Sequence, residues 1–262
     1  MKVTAIQMDM KFADPDYNFA HAQALVREAA RQKPDVITLP ETWNVGFFPK
    51  ENLKSLCDRD GERVKRTFSA LAKELDVNIV AGSVANLKEE KVYNTAYIFD
   101  RKGACVASYD KTHLFTPMGE HNYFEFGGKT VTFELDGVHC GIIICYDVRF
   151  LELVRTLALK GIQVLFVVAQ WPGVRTKHWQ YLNTTRAIEN QMFVVSTNSC
   201  GRAGETQYGG HSAIYDPWGE MLAGAQDQEA LITAELDLGV VENIRSSINV
   251  YRDRRPTLYE IK

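Results

Sequence analysis

The chain has 262 residues and a formal net charge of −3, with 45% hydrophobic and 24% charged residues, the composition of an ordinary soluble globular protein. That balance argues against an extended nucleic-acid or anionic-membrane surface, and no apolar run approaches membrane-spanning length. The five cysteines lack paired spacing, which fits reduced thiols rather than a disulfide framework.

No Pro/Gly/Ser-rich linker or block of like charge divides the sequence, so one domain over residues 1–262 is expected, with a core that needs no staples. The N-terminus enters a strand at residues 3–7 without a signal-peptide pattern, which predicts a cytoplasmic protein. Phe19, Ala22, Val26, Ala29 and Ala30 mark a helix over 18–31, and a short β-branched strand at 36–39 stops at Pro40 and Glu41. Val64, Phe68, Leu71, Ala72 and Leu75 recur at helical spacing, and residues 77–81 read as a strand ending at Gly82. Strands at 92–99 and 104–109 form a hairpin whose second arm runs into Asp110-Lys111. After the loop 115–128, strands at 130–135 and 138–144 turn at Asp136-Gly137. The second ends at Cys145, and a helix pattern (Val148, Leu151, Val154, Leu157, Ala158) follows at once. A strand at 164–168, a helix at 178–191, a strand at 193–197 and three strands near Ala213, Met221 and Leu231 complete a mixed α/β chain.

Glu41, Lys111 and Cys145 each stand just past a strand, where ligand sites collect in such sheets. At a strand-to-helix junction, free N–H groups favour a thiolate and a developing oxyanion. The competing reading of Cys145 is an inert buried thiol. One thiol, one carboxylate and one amine suffice for acyl transfer, as nucleophile, proton carrier and charge stabiliser.

Pro40-Glu41, Tyr109-Asp110-Lys111-Thr112-His113-Leu114 and Cys145-Tyr146-Asp147-Val148-Arg149-Phe150 resemble the three signature blocks of the nitrilase superfamily of carbon–nitrogen hydrolases. The resemblance runs from Val3-Thr4-Ala5-Ile6-Gln7 to Asp216-Pro217-Trp218-Gly219-Glu220 and the strand near Leu231. It implies a four-layer αββα sandwich, Cys145 as nucleophile, Glu41 as base and Lys111 as stabiliser. It further implies support from Glu120, a Tyr146 N–H in the oxyanion hole, and Tyr93-Asn94-Thr95 next to the site. Cys-Tyr-Asp-x-Arg-Phe, Trp171-Pro172 and the stretch from His178-Trp179 to Gln191 look most like the ω-amidase group, whose substrates are 2-oxoglutaramate and 2-oxosuccinamate. An N-carbamoyl amino acid or polyamine amidase, or a silent binding protein of this fold, are the alternatives.

Trp171 suits a pocket wall. Arg149 is the first candidate for gripping a substrate carboxylate, with Arg175 and Lys177 in reserve. Asp147 reads as a helix N-cap, and His113 and His121 as structural. No metal-ligand spacing or phosphate-cradling loop is present, so no metal or cofactor is expected. The expected partners are a small amide and a second copy of the chain, with Tyr251, Leu258, Tyr259 and Ile261 at a polar-rimmed contact, and neither nucleic acid nor membrane.

Overall fold

A computed structural model describes residues 1–47 and 49–259, so Ile261 lies outside the described residues. The first half runs β1 (Lys2–Gln7), α1 (Pro15–Ala30), β2 (Val36–Thr38), the single turn α2 (Leu53–Leu56), β3 (Asp58–Arg59), α3 (Glu62–Leu75), β4 (Asn78–Lys88), β5 (Lys91–Phe99) and β6 (Cys105–Asp110). There follow β7 (Thr132–Leu135), β8 (Val138–Ile144), α4 (Leu151–Leu159), β9 (Val164–Ala169), α5 (Thr176–Asn190) and β10 (Phe193–Asn198). A small hairpin of β11 (Arg202–Ala203) and β12 (Thr206–Gln207) precedes β13 (Ala213–Tyr215), β14 (Met221–Gly224), β15 (Ala230–Glu235) and α6 (Gly239–Ser247).

Two sheets result, ordered β15-β1-β2-β4-β5-β6 and β14-β13-β10-β9-β8-β7, with β3 beside β4. At the heart of each sheet three strands run parallel: β1, β2 and β4 in one, β8, β9 and β10 in the other. Parallel strands need crossovers, which place helices on the outer faces and bury both sides of each strand. The sequence obeys that demand. Val36 and Val80 face inward, into one apolar cluster with Phe133, Ile144, Val168 and Val195 of the other sheet. Their neighbours Ile37 and Ile79 face outward, against Phe19, Ala22 and Val26 of α1 and Phe68 of α3. Helix, sheet, sheet and helix make the four-layer sandwich. No helix among the described residues is long and apolar enough to cross a membrane.

Two departures from the sequence reading bear on function. Residue 82 does not end a strand: β4 continues to Lys88, with a register shift between Val80 and Ser83. There Gly82 has φ +60, and a Cβ would lie 2.0 Å from the Pro40 carbonyl oxygen, so only glycine lets β4 press on the segment that carries Glu41. Nor does a helix follow Cys145 at once. Residues Cys145–Arg149 form a tight 3₁₀ turn, Phe150 is extended, and α4 starts at Leu151.

Candidate active site

Glu41 follows β2 and is fully buried. Every group that touches its carboxylate is a donor. Its Oε1 accepts from Lys111 Nζ and from Asn94 Nδ2, both at 2.8 Å, and its Oε2 accepts from the Gln170 N–H at 2.7 Å. The Gln170 side chain also donates to the Glu41 carbonyl at 2.7 Å, which ties the end of β9 in one sheet to the end of β2 in the other. The Cys145 thiol lies close enough to feel the charge of the same carboxylate.

Lys111 follows β6, its N–H held by the Asn94 carbonyl at 2.9 Å. Its side chain is wholly buried, and Nζ donates to both oxygens of Glu120 at 2.9 Å as well as to Glu41. Burial alone would push the ammonium down, but the charges of Glu120 and Glu41 outweigh it and hold Lys111 protonated well above the ordinary lysine range. Burial raises the Glu120 carboxyl, with Lys111 pulling the other way, and the Phe115 N–H donates to it at 2.6 Å.

Cys145 has φ +49, a left-handed conformation that costs a non-glycine residue about 1–3 kcal/mol and is concentrated at functional sites. The turn it begins leaves the Tyr146 N–H ahead of its own hydrogen bonds. Burial first, and then the negative Glu41, raise the Cys145 thiol well above the ordinary cysteine range despite Lys111 nearby. The resting group is therefore a neutral thiol. Asp147 is third in the turn rather than its N-cap. It accepts from the Ile144 N–H at 2.9 Å, Tyr109 OH at 2.7 Å, Thr112 Oγ1 at 3.0 Å and both the His113 N–H and Nδ1. One buried carboxylate thus clamps the strand end carrying Lys111 to the turn carrying Cys145. His113 belongs to that brace and stacks on Phe150 at 3.6 Å between ring centres.

Lys111 and Cys145 lie on the floor of a pocket whose walls include Phe47, Phe115, Met118, Tyr146, Trp171 and Pro172, and Glu41 is buried behind them. Arg149 and Arg175 also line it. The Arg149 guanidinium lies 4.9 Å from the Trp171 ring and donates to His178 Nδ1 at 3.3 Å, while Arg175 lies 5.1 Å from the Phe115 ring. Neither forms an ion pair with a carboxylate among the described residues. Lys177 is exposed and His121 sits on a different surface cleft.

Tyr93 and Asn94, the candidates for substrate binding in the segment expected next to the site, do not line the pocket. The ring of Tyr93 sits 5.0 Å from Lys88 Nζ and does not line the pocket, because successive strand residues face opposite ways and Asn94 takes the inward side. Asn94 itself is spent on Glu41, a holder of the carboxylate rather than a wall of the pocket. The sequence reading missed Gln170, Phe47 and Met118. The strand-end signal that pointed to Trp171 applied equally to Gln170, one residue earlier.

Among the described residues no group of His, Cys, Asp and Glu is arranged to hold a metal ion. A thiol against a carboxylate, with an ammonium and a free backbone N–H beside it, can carry acyl transfer with the protein's own groups.

The sequence profile of the carbon–nitrogen hydrolases matches residues 2–246. A 2-oxoglutaramate amidase of Bacillus subtilis (strain 168) is 41% identical over 257 residues, which cover 98% of this chain and 98% of the relative. The omega-amidase NIT2 of Homo sapiens is 32% identical, covering 100% of this chain and 97% of its own. The crystal structure of Saccharomyces cerevisiae Nit3, a member of branch 10 of the nitrilase superfamily, superposes with a TM-score of 0.91 at 27% identity, covering 97% of this chain and 96% of that one.

Proposed function

Because the chain belongs to the carbon–nitrogen hydrolase family, and because two guanidiniums without carboxylate partners among the described residues share the pocket of its buried thiol, we propose that it hydrolyses the terminal amide of a short 2-oxo dicarboxylic acid monoamide, 2-oxoglutaramate or 2-oxosuccinamate. It is an amidohydrolase acting on non-peptide carbon–nitrogen bonds. The B. subtilis and human relatives support this substrate class. The observation that carries the choice is the pair Arg149 and Arg175. Each lies against an aromatic ring, so each is partly stripped of water and pre-aimed at the pocket, and a planar guanidinium grips a carboxylate with parallel hydrogen bonds.

In the proposed reaction Cys145 Sγ attacks the amide carbon as its proton passes to Glu41. The oxyanion is held by the Lys111 ammonium and the Tyr146 N–H. Glu41 returns the proton to the amide nitrogen, the carbon–nitrogen bond breaks, ammonia leaves and a thioester remains. Water then gives a proton to Glu41 as it attacks the thioester, and Cys145 leaves with that proton. Glu120 keeps Lys111 in place through its two short contacts.

Ammonia release from a panel of 2-oxo acid amides, carbamoyl compounds and nitriles tests the assignment. Hydrolysis of a carbamoyl compound with no 2-oxo acid amide turned over would move the chain to another branch of the family. Within the panel, Arg149→Ala and Arg175→Ala each raise KM for 2-oxoglutaramate by about 10- to 150-fold, the worth of one hydrogen-bonded charge partner at about 1.5–3 kcal/mol. Butyramide, which lacks the distal carboxylate, loses little. Equal losses on both substrates would make that arginine structural.

The free cysteines support a cytoplasmic location. A homodimer is proposed through the groove between α4 and the C-terminal segment, where Leu151, Leu159 and Tyr259 are exposed among Arg155, Asp253 and Arg254. Light scattering at micromolar concentration gives a dimer mass, and Leu151→Glu shifts it toward monomer. A monomer mass for the parent chain would exclude this arrangement.

A further inference from the structure

The pocket over Cys145 is not the only space near the reacting groups. A larger cleft lies beside it, and among the described residues the walls that the two share are Phe47 and Met118. Tyr208 lines the outer cleft and is 2% exposed. Burial first, and then the charges of Glu41 and Cys145, push its phenol far above the ordinary tyrosine range, which puts this wall close to the reacting centre. The Phe47 ring packs edge-on against Tyr208 with 6.5 Å between centres and lines both spaces, which places it between them.

The backbone is arranged to hold that ring there. The loop after Glu41 is pinned at its base by Trp43, whose Nε1 donates to the Ala81 carbonyl at 2.8 Å, and by Asn44, which bonds Ala85 in both directions. At Gly46, with φ +69, an added Cβ would lie 3.0 Å from the Phe12 Cα and 3.1 Å from the Lys11 carbonyl oxygen, so the loop is wedged against the segment before α1. Phe47 follows with φ +82 and is only 8% exposed. A bulky L-residue in that conformation is strained, and such strain persists where the surroundings impose it, often at ligand clamps. Met118 approaches from the other side, two residues before Glu120, on a turn that ends at Gly119 with φ +75.

We propose that Phe47 is a specificity-determining residue for this amidase: its ring, backed by Met118, holds the inner pocket to a short amide and closes off an outer cleft that would take the tail of a longer or bulkier one. The proposal rests on the amidase reading but not on the 2-oxo acid or on the arginines, so neutral amides test it. The probes are butyramide and 4-phenylbutyramide, compared through kcat/KM in the parent, in Phe47→Ala and in Phe47→Gly. The glycine variant keeps the left-handed backbone without strain, so it separates loss of the ring from collapse of the loop.

The 4-phenylbutyramide to butyramide ratio rises at least tenfold in both variants, with Phe47→Leu in between. Met118→Ala, from the opposite side of the partition, moves the ratio in the same direction and serves as the readout if the Phe47 variants fail to fold. A flat ratio in folded variants, or a parallel loss on both amides, overturns the filter. A parent that releases ammonia from no amide fails the amidase reading itself, a different result from an active parent with an unchanged ratio.

Discussion

Cys145→Ala folds like the parent protein and turns over no amide. The side chain is 8% exposed and the substitution removes one sulfur atom, while the left-handed backbone at this position is already borne by a residue with a Cβ. The loss in kcat is on the order of 10⁶-fold, the scale seen when the attacking atom of a hydrolase is removed. Acid-quenched parent enzyme carries the acyl group of its substrate on the peptide containing Cys145, and the variant carries none. Robust ammonia release by Cys145→Ala would end the assignment.

The high resting position of this thiol changes how it should be probed. Fast labelling by iodoacetamide, the natural sequence-based test for an active cysteine, requires a standing thiolate. Here burial and Glu41 keep the thiol neutral until a carbonyl arrives, so slow labelling is compatible with full activity. Proton transfer to Glu41 and attack on the carbonyl belong to one event, and acyl capture is the decisive readout.

The positions of Glu41, Lys111 and Cys145 were readable in the chain because each stands just past a strand, and their roles because each falls in a block that resembles a signature of the family. What surrounds them is not local. Gly82 read as a strand end, since nothing in the sequence says that β4 passes over the Pro40 carbonyl. Asp147 read as an N-cap because its five hydrogen-bond donors come mostly from a segment more than thirty residues earlier. Gln170 acts on Glu41 through its backbone N–H and from the other sheet, a role that side-chain chemistry does not announce. Tyr93 and Asn94 were taken together from one motif, although strand alternation sends them to opposite faces.

Lys111→Met separates the two duties of the buried ion cluster, and it costs both rate and stability. In the proposed mechanism the oxyanion then loses one of its two stabilising groups, which removes about 10²–10³ from kcat. Glu41→Gln loses a comparable or larger factor, about 10²–10⁴, by removing the proton carrier. The two differ in stability. In Glu41→Gln the ammonium keeps Glu120 at 2.9 Å and the cluster stays balanced. In Lys111→Met two fully buried carboxylates face each other with no cation, a loss of about 3–5 kcal/mol for breaking a buried pair.

The pH dependence distinguishes this loss from a simple packing defect. Glu120 already sits above its ordinary value of 4.5 through burial, and without Lys111 it moves higher. A carboxyl raised in the folded state binds its proton more tightly there than in the unfolded chain. Its protonation therefore supports folding at pH values below the ordinary one, and that support is lost as the pH rises through the raised value. Thermal unfolding of Lys111→Met then shows a deficit against the parent that is large at pH 8 and shrinks steadily toward pH 5. In the parent, Lys111 stays protonated throughout this range and pulls Glu120 back down, so the parent's own loss between pH 5 and pH 8 is smaller. A deficit of the same size at both pH values would mean that Lys111 contributes packing rather than charge, and the electrostatic account of the site would fall with it.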